Sequence, residues 1–221
     1  MTSYEAALCA KIAYLDDGAA AARKLGFSYQ AVRRKSYFAW IGRRGALTVI
    51  GFRGTSFSRS DRRAYRTNMS TDLVPWMGPG LVHAGYHQAM WQIVAALHRE
   101  RVSGAKIILT GHSMGAALAV LAARFLGARR VHAFACPRIG NRDFAQNITR
   151  QVRIIRYVNR GDFVSRLPFR GLVYGSDPAR SEAYVPVGRT VRLSTFGHGM
   201  SAYVGGASRH KNLYFSKSYT Q

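Results

Sequence analysis

Ser113 stands in Gly111-His112-Ser113-Met114-Gly115, and a serine between two glycines is either a turn residue or a nucleophile. As a nucleophile it needs a histidine to take its proton, a carboxylate to orient that histidine, and N–H donors for the oxyanion that forms. In parallel sheets with a strand–serine–helix turn, these partners follow the serine in the order acid, then histidine. Four carboxylates lie beyond Ser113: Asp143, Asp162, Asp177 and Glu182. Asp143 falls at the start of an expected helix, where its better role is that of an N-terminal charge. Asp177 and Glu182 sit in a polar loop. Asp162 follows an expected strand by a short Asn-Arg-Gly turn, which puts it at the same sheet edge as Ser113, and it is the favoured acid. Beyond it only His198 and His210 remain. His198 lies in the glycine-flanked stretch Thr195-Phe196-Gly197-His198-Gly199-Met200 and is favoured over His210, which lies in a basic tail. His112 reads as a packed neighbour of the serine. His83, His87, His98 and His132 precede the acid, and their spacing is not that of a metal site. This chemistry calls for no metal and no organic cofactor.

Such residues act only if regular elements hold them. With 22 glycines in 221 residues the pentapeptide alone is weak evidence, so its context decides. Ile107-Ile108-Leu109 precedes it and an apolar run to Leu126 follows, which predicts a strand over 106–110 and a helix over 114–126. Apolar spacing predicts a surface helix over 4–14 and a helix from His87 to Arg99. Residues 36–53 read as two strands joined at Gly42-Arg43-Arg44-Gly45. Strands are expected over 131–136, 152–158 and 189–193, with a helix over 142–149. This alternation predicts an α/β fold: one domain spanning 1–221 with a mostly parallel central sheet covered by helices on both faces.

The charge is unusual. Lys and Arg number 33 against 10 Asp and Glu, a formal net charge of +23. Such a field attracts anionic partners, either phospholipid or nucleic acid. Since 27 of the 33 are arginine, a GC-rich genome is the competing explanation. The arginines are scattered and no nucleic-acid motif appears, so nucleic acid is the disfavoured partner. The N-terminus lacks a basic stretch followed by an apolar core, and no apolar run reaches 18 residues. The expectation is a cytoplasmic protein, with export independent of a signal peptide as the other route. Cys9 and Cys136 are expected as reduced, buried thiols.

Several segments together resemble the class 3 lipases, the fungal-lipase-like branch of the α/β-hydrolases. They are Val49-Ile50-Gly51-Phe52-Arg53-Gly54-Thr55, Asn68-Met69-Ser70-Thr71-Asp72-Leu73, Val82-His83-Ala84-Gly85-Tyr86, the serine pentapeptide, and Phe134-Ala135-Cys136-Pro137-Arg138-Ile139-Gly140-Asn141. Asn159-Arg160-Gly161-Asp162-Phe163-Val164 and His198-Gly199-Met200-Ser201-Ala202-Tyr203-Val204 complete the series, in family order over about residues 46–204. The resemblance implies a serine lipase or esterase forming an acyl-enzyme, with Ser113, Asp162 and His198 as its triad. It implies Thr55 and the Met114 N–H as oxyanion donors. It also implies a lid over about 56–80. There Arg59, Arg62, Arg63 and Arg66 adjoin Leu73, Val74, Pro75, Trp76 and Met77. That composition suits an anionic lipid interface, with the arginines on phosphates and Trp76 in the acyl boundary. The competing reading is a solvated loop with Trp76 in the core. An A-type phospholipase is thus a rival to a triacylglycerol lipase. A non-catalytic protein that binds anionic membrane or nucleic acid on a hydrolase scaffold is the remaining alternative.

Overall fold

Strands rich in Val, Ile and Phe alternate with helices along the chain. In order they are α1 (Ser3–Ile12), α2 (Gly18–Lys24), β1 (Gln30–Arg34), β2 (Tyr37–Arg44), β3 (Leu47–Phe52), β4 (Leu73–Pro75) and β5 (Leu81–His83). There follow α3 (Ala84–Arg99), β6 (Lys106–His112), α4 (Met114–Ala122), β7 (Arg130–Phe134), α5 (Arg142–Gln151), β8 (Arg153–Arg160), β9 (Arg189–Phe196) and α6 (Met200–Arg209). This computed structural model describes residues 1–55, 72–100, 102, 106–168 and 184–210.

Seven strands form one sheet in the order β1-β2-β3-β6-β7-β8-β9. The β1–β2 and β2–β3 pairs are antiparallel, and the four pairs from β3–β6 to β8–β9 are parallel. On one face α3, α4 and α5 bury a core with Ile50, Leu109, Val131 and Ile154. On the other, α1, α2 and α6 enclose two smaller clusters around Tyr157 and Trp40. The mostly parallel, doubly covered sheet is therefore present. α4 is apolar on all sides because it is buried on all sides, from Gly115 through Ala122.

α1 buries the apolar face expected of it: Ala6, Ala7 and Ala10 are all 0% exposed while Glu5 and Lys11 stay partly exposed, and the small side chains let the helix lie close against the sheet. One expectation needs correcting. Trp76 does not stand free for a lipid interface. Its ring packs edge-on against His87, Phe125 and Phe144 at centroid distances of 6.0, 5.8 and 5.3 Å. The apolar half of the expected lid forms a short hairpin. β4 pairs with β5, and Trp76 N–H donates to Gly80 O at 3.1 Å to close that hairpin. A tryptophan in reach of three rings gains more by burial than by exposure to water. Arg59, Arg62, Arg63 and Arg66 lie outside the described residues, as do Asp177 and Glu182.

Candidate active site

β6 ends at His112 and α4 begins at Met114, so Ser113 alone makes the turn. Its φ of 57° and ψ of −128° are strained for a residue with a side chain. The glycines on either side are required by contact. A Cβ at Gly111 would overlap the Gly115 carbonyl, and one at Gly115 would overlap Phe52 O and lie 2.7 Å from Arg53 C. The elbow thus presses against the end of β3, and Gly54 stands beside the serine, where a Cβ in place of its hydrogen would lie 3.2 Å from Ser113 Cβ. Although Ser113 precedes a helix, its hydroxyl makes no capping bond and instead lies 3.2 Å from His198 Nε2.

The loop after β9 brings His198 to the serine, and the turn after β8 brings Asp162 to the far side of its ring. His198 Nδ1 lies 3.0 Å from Asp162 Oδ2 and 3.1 Å from Oδ1. Asp162 is 3% exposed, yet its carboxylate has three kinds of donor. Besides His198, Tyr203 O–H donates at 2.5 Å and Val164 N–H at 2.9 Å. Burial pushes the carboxyl pKa up, but the hydrogen bonds from His198 and Tyr203 outweigh it, and the net shift is downward. Asp162 therefore stays ionised while buried.

Thr55 stands where its Oγ1 meets Met114 Sδ at 3.8 Å, so the stretch after β3 and the start of α4 face each other beside the serine. Backbone N–H groups at a helix start carry partial positive charge, and this is where an oxyanion beside Ser113 would lie. Together the groups can deprotonate a serine hydroxyl, hold the resulting imidazolium against a carboxylate, and receive a negatively charged oxygen.

Of the weighed alternatives, His210 lies at the C-terminal end of α6 and Asp143 lies in the first turn of α5. Neither is brought to Ser113. The sequence reading missed Tyr14, which sits just beyond α1. Its oxygen accepts from Gly54 N–H at 2.9 Å, and its hydroxyl lies 3.0 Å from His112 Nδ1. His112 is more than a packed neighbour, since its Nε2 lies 2.7 Å from the carbonyl oxygen of His198. Arg156 was also missed. This buried guanidinium donates to Cys136 O at 3.0 Å and to Ser165 O, tying the loop after β7 to the turn that carries Asp162. Nothing in the local sequence marks Tyr14 or Arg156, whereas Tyr203 follows His198 closely enough to be sought. Both cysteines are free and buried, as expected.

A mostly parallel sheet with a strained serine between strand and helix, followed in order by an aspartate and a histidine that meet it, defines an α/β-hydrolase. The model described as Lipase (class 3) matches residues 49–172, more than half the chain, and the chain belongs to that family. It is 35% identical over 133 residues to secreted mono- and diacylglycerol lipase 1 of Fusarium solani, covering 54% of this chain and 39% of that protein. It is 26% identical over 162 residues to secreted mono- and diacylglycerol lipase A of Penicillium cyclopium, covering 67% and 52%. The chain thus spans about two fifths to one half of these relatives. Lipase II from Rhizopus niveus shares the fold with a TM-score of 0.69 at 21% identity, over 89% of this chain and 81% of that one. The expectation of a cytoplasmic protein is overturned by these relatives, which are named as secreted.

Proposed function

We propose that this chain is a serine carboxylester hydrolase acting on acyl lipids outside the cell. The observation that supports this reading best is the hydrogen-bonded run from Ser113 Oγ through His198 to Asp162, at a strained elbow, in a class 3 lipase. Ser113 Oγ attacks the ester carbonyl carbon while His198 Nε2 takes its proton. The carbonyl oxygen, now negative, is received by the N–H groups of Thr55 and Met114. The tetrahedral species collapses, the C–O bond to the alcohol breaks, and His198 returns the proton to the leaving oxygen. Water then repeats the sequence on the acyl-enzyme, and Asp162 holds the imidazole in the required tautomer throughout. The relatives' names make mono- and diacylglycerols the first substrates to test. The charge of +23 favours a second reading, a phospholipase acting on anionic membranes.

A fluorophosphonate probe should label Ser113. Ser113→Ala should lose about 10⁶ in turnover, while His210→Ala should keep most activity. Parallel hydrolysis of diacylglycerol, triacylglycerol, phosphatidylglycerol and phosphatidylcholine separates the two readings. Near-parental p-nitrophenyl ester hydrolysis by Ser113→Ala would overturn both.

A further inference from the structure

Burial of Trp76 leaves the question of what, among the described residues, meets a lipid surface. The exposed large apolar side chains are Leu15, Met77, Leu81, Trp91, Phe163 and Phe196. Two of them flank the candidate site. Phe163 follows Asp162 and is 59% exposed; Phe196 precedes Gly197-His198 and is 78% exposed. Phe196, the last residue of β9, adjoins the turn that bears Phe163, because its ring lies against Gly161, where any Cβ would overlap it. Gly161 has a φ of +72°, so both its conformation and the ring beside it exclude a side chain there. Neither phenylalanine belongs to the Ser113–His198–Asp162 run. A lone exposed apolar side chain calls for no explanation, but two rings at one rim beside a site do.

The charges at this rim have one sign. A register shift between Val158 and Arg160 ends the β8–β9 pairing with Arg160 opposite Phe196. Arg160 and Arg166 are both exposed. Across 153–168 and 189–200 the one carboxylate is Asp162, whose side chain is 0% exposed. The rim therefore offers solvent two aromatic rings and two guanidinium groups, with no acidic group among these residues to repel a phosphate.

We propose that this rim docks on an anionic phospholipid surface, with Phe163 and Phe196 in the acyl boundary and Arg160 and Arg166 on the phosphates. An aromatic–cationic surface of this kind matches the depth profile of a bilayer face, apolar inside and negative at the headgroups. Docking here would set the Asp162 and His198 loops directly on the lipid. The inference rests on the lipid-ester reading of the site, and it is tested without catalysis so that the two can fail separately.

The experiment is co-sedimentation of the full chain carrying Ser113→Ala with vesicles of phosphatidylglycerol or of phosphatidylcholine. The parent should bind phosphatidylglycerol vesicles and leave phosphatidylcholine vesicles largely unbound. Adding Arg160→Gln and Arg166→Gln should weaken that binding by about fivefold per arginine. Adding Phe163→Ser and Phe196→Ser should weaken it by about tenfold or more, whereas Met77→Ser, elsewhere on the surface, should not. Because Phe196 packs on Gly161, Phe163→Ser alone is the second variant, expected to weaken binding with an unchanged melting temperature. Equal binding by parent and phenylalanine variants overturns the proposal, as does equal affinity for the two lipids. A parent dimer in sedimentation velocity that Phe163→Ser converts to monomer, with vesicle binding unchanged, also overturns it and assigns the rim to a second copy of the chain.

Discussion

The carbonyl oxygen of His198 can only accept, so the His112 nitrogen that faces it, Nε2, carries a proton. His112 Nδ1 is then an acceptor, and the Tyr14 O–H donates to it while the Tyr14 oxygen accepts from Gly54 N–H. One directed chain of hydrogen bonds thus runs from the loop bearing Thr55 to the backbone of the candidate base. It needs neutral His112, and burial, aided by the charge of His198, lowers that pKa to about 4. Tyr14→Phe would leave a buried N–H without its acceptor and His112 without its donor, at a cost of about 1–3 kcal/mol. If that cost falls on the geometry between loop and base, kcat for a soluble ester should drop roughly 5- to 150-fold with KM little changed. Fluorophosphonate labelling should slow in step. Labelling at the parental rate would show that Tyr14 serves packing alone.

The elbow between β6 and α4 is held by backbone contacts, which sets the consequence of crowding it. Gly115→Ala would force α4 away from the end of β3, since the added carbon has only backbone atoms of Phe52, Arg53 and Gly54 to displace. Overpacking of this kind costs about 1–3 kcal/mol. Chemical denaturation should report that loss, and probe labelling of Ser113 should fall further than stability does. A variant of normal stability and labelling would mean that the elbow yields. These elements were legible in the sequence because their apolar runs are continuous and their boundaries carry glycine. Asp162 and His198 were legible for a related reason, since each follows a strand ending at the same sheet edge. β1, with Val32 as its one buried residue, gave no such pattern, and it exists through pairing with β2. Tyr14 meets a partner 98 residues away, and no local periodicity marks such a contact. Trp76 misled because its basic and apolar neighbourhood resembles an interfacial segment, while the rings that bury it come from α3, α5 and the stretch after α4.

Burial of titratable groups gives the molecule as a whole a stability that depends on pH in a stated direction. Burial lowers the pKa of His83 and of His112 to about 4 and that of His132 to about 3. In the unfolded chain each protonates near about 6.5. Between that pH and 4 the unfolded chain therefore binds protons that the folded one refuses, and stability must fall as pH falls. Summed over three groups, the loss from pH 7 to pH 5 is about 5 kcal/mol. Asp162, with its lowered pKa, adds a further loss in the same direction below about pH 4. On the alkaline side burial raises Cys9 and Cys136 to about 12. Their unfolded thiols ionise from about pH 8.5, so stability falls again above that point. The net charge of +23 also grows on acidification, and its self-repulsion is screened by salt, whereas histidine burial is not. Urea unfolding should give a maximum between about pH 6.5 and 8.5. At pH 5, added 0.5 M salt should restore a minor part of the lost stability. Full restoration by salt would place the effect in surface repulsion, and equal stability at pH 5 and pH 7 would mean that the three histidines take up protons without unfolding the chain.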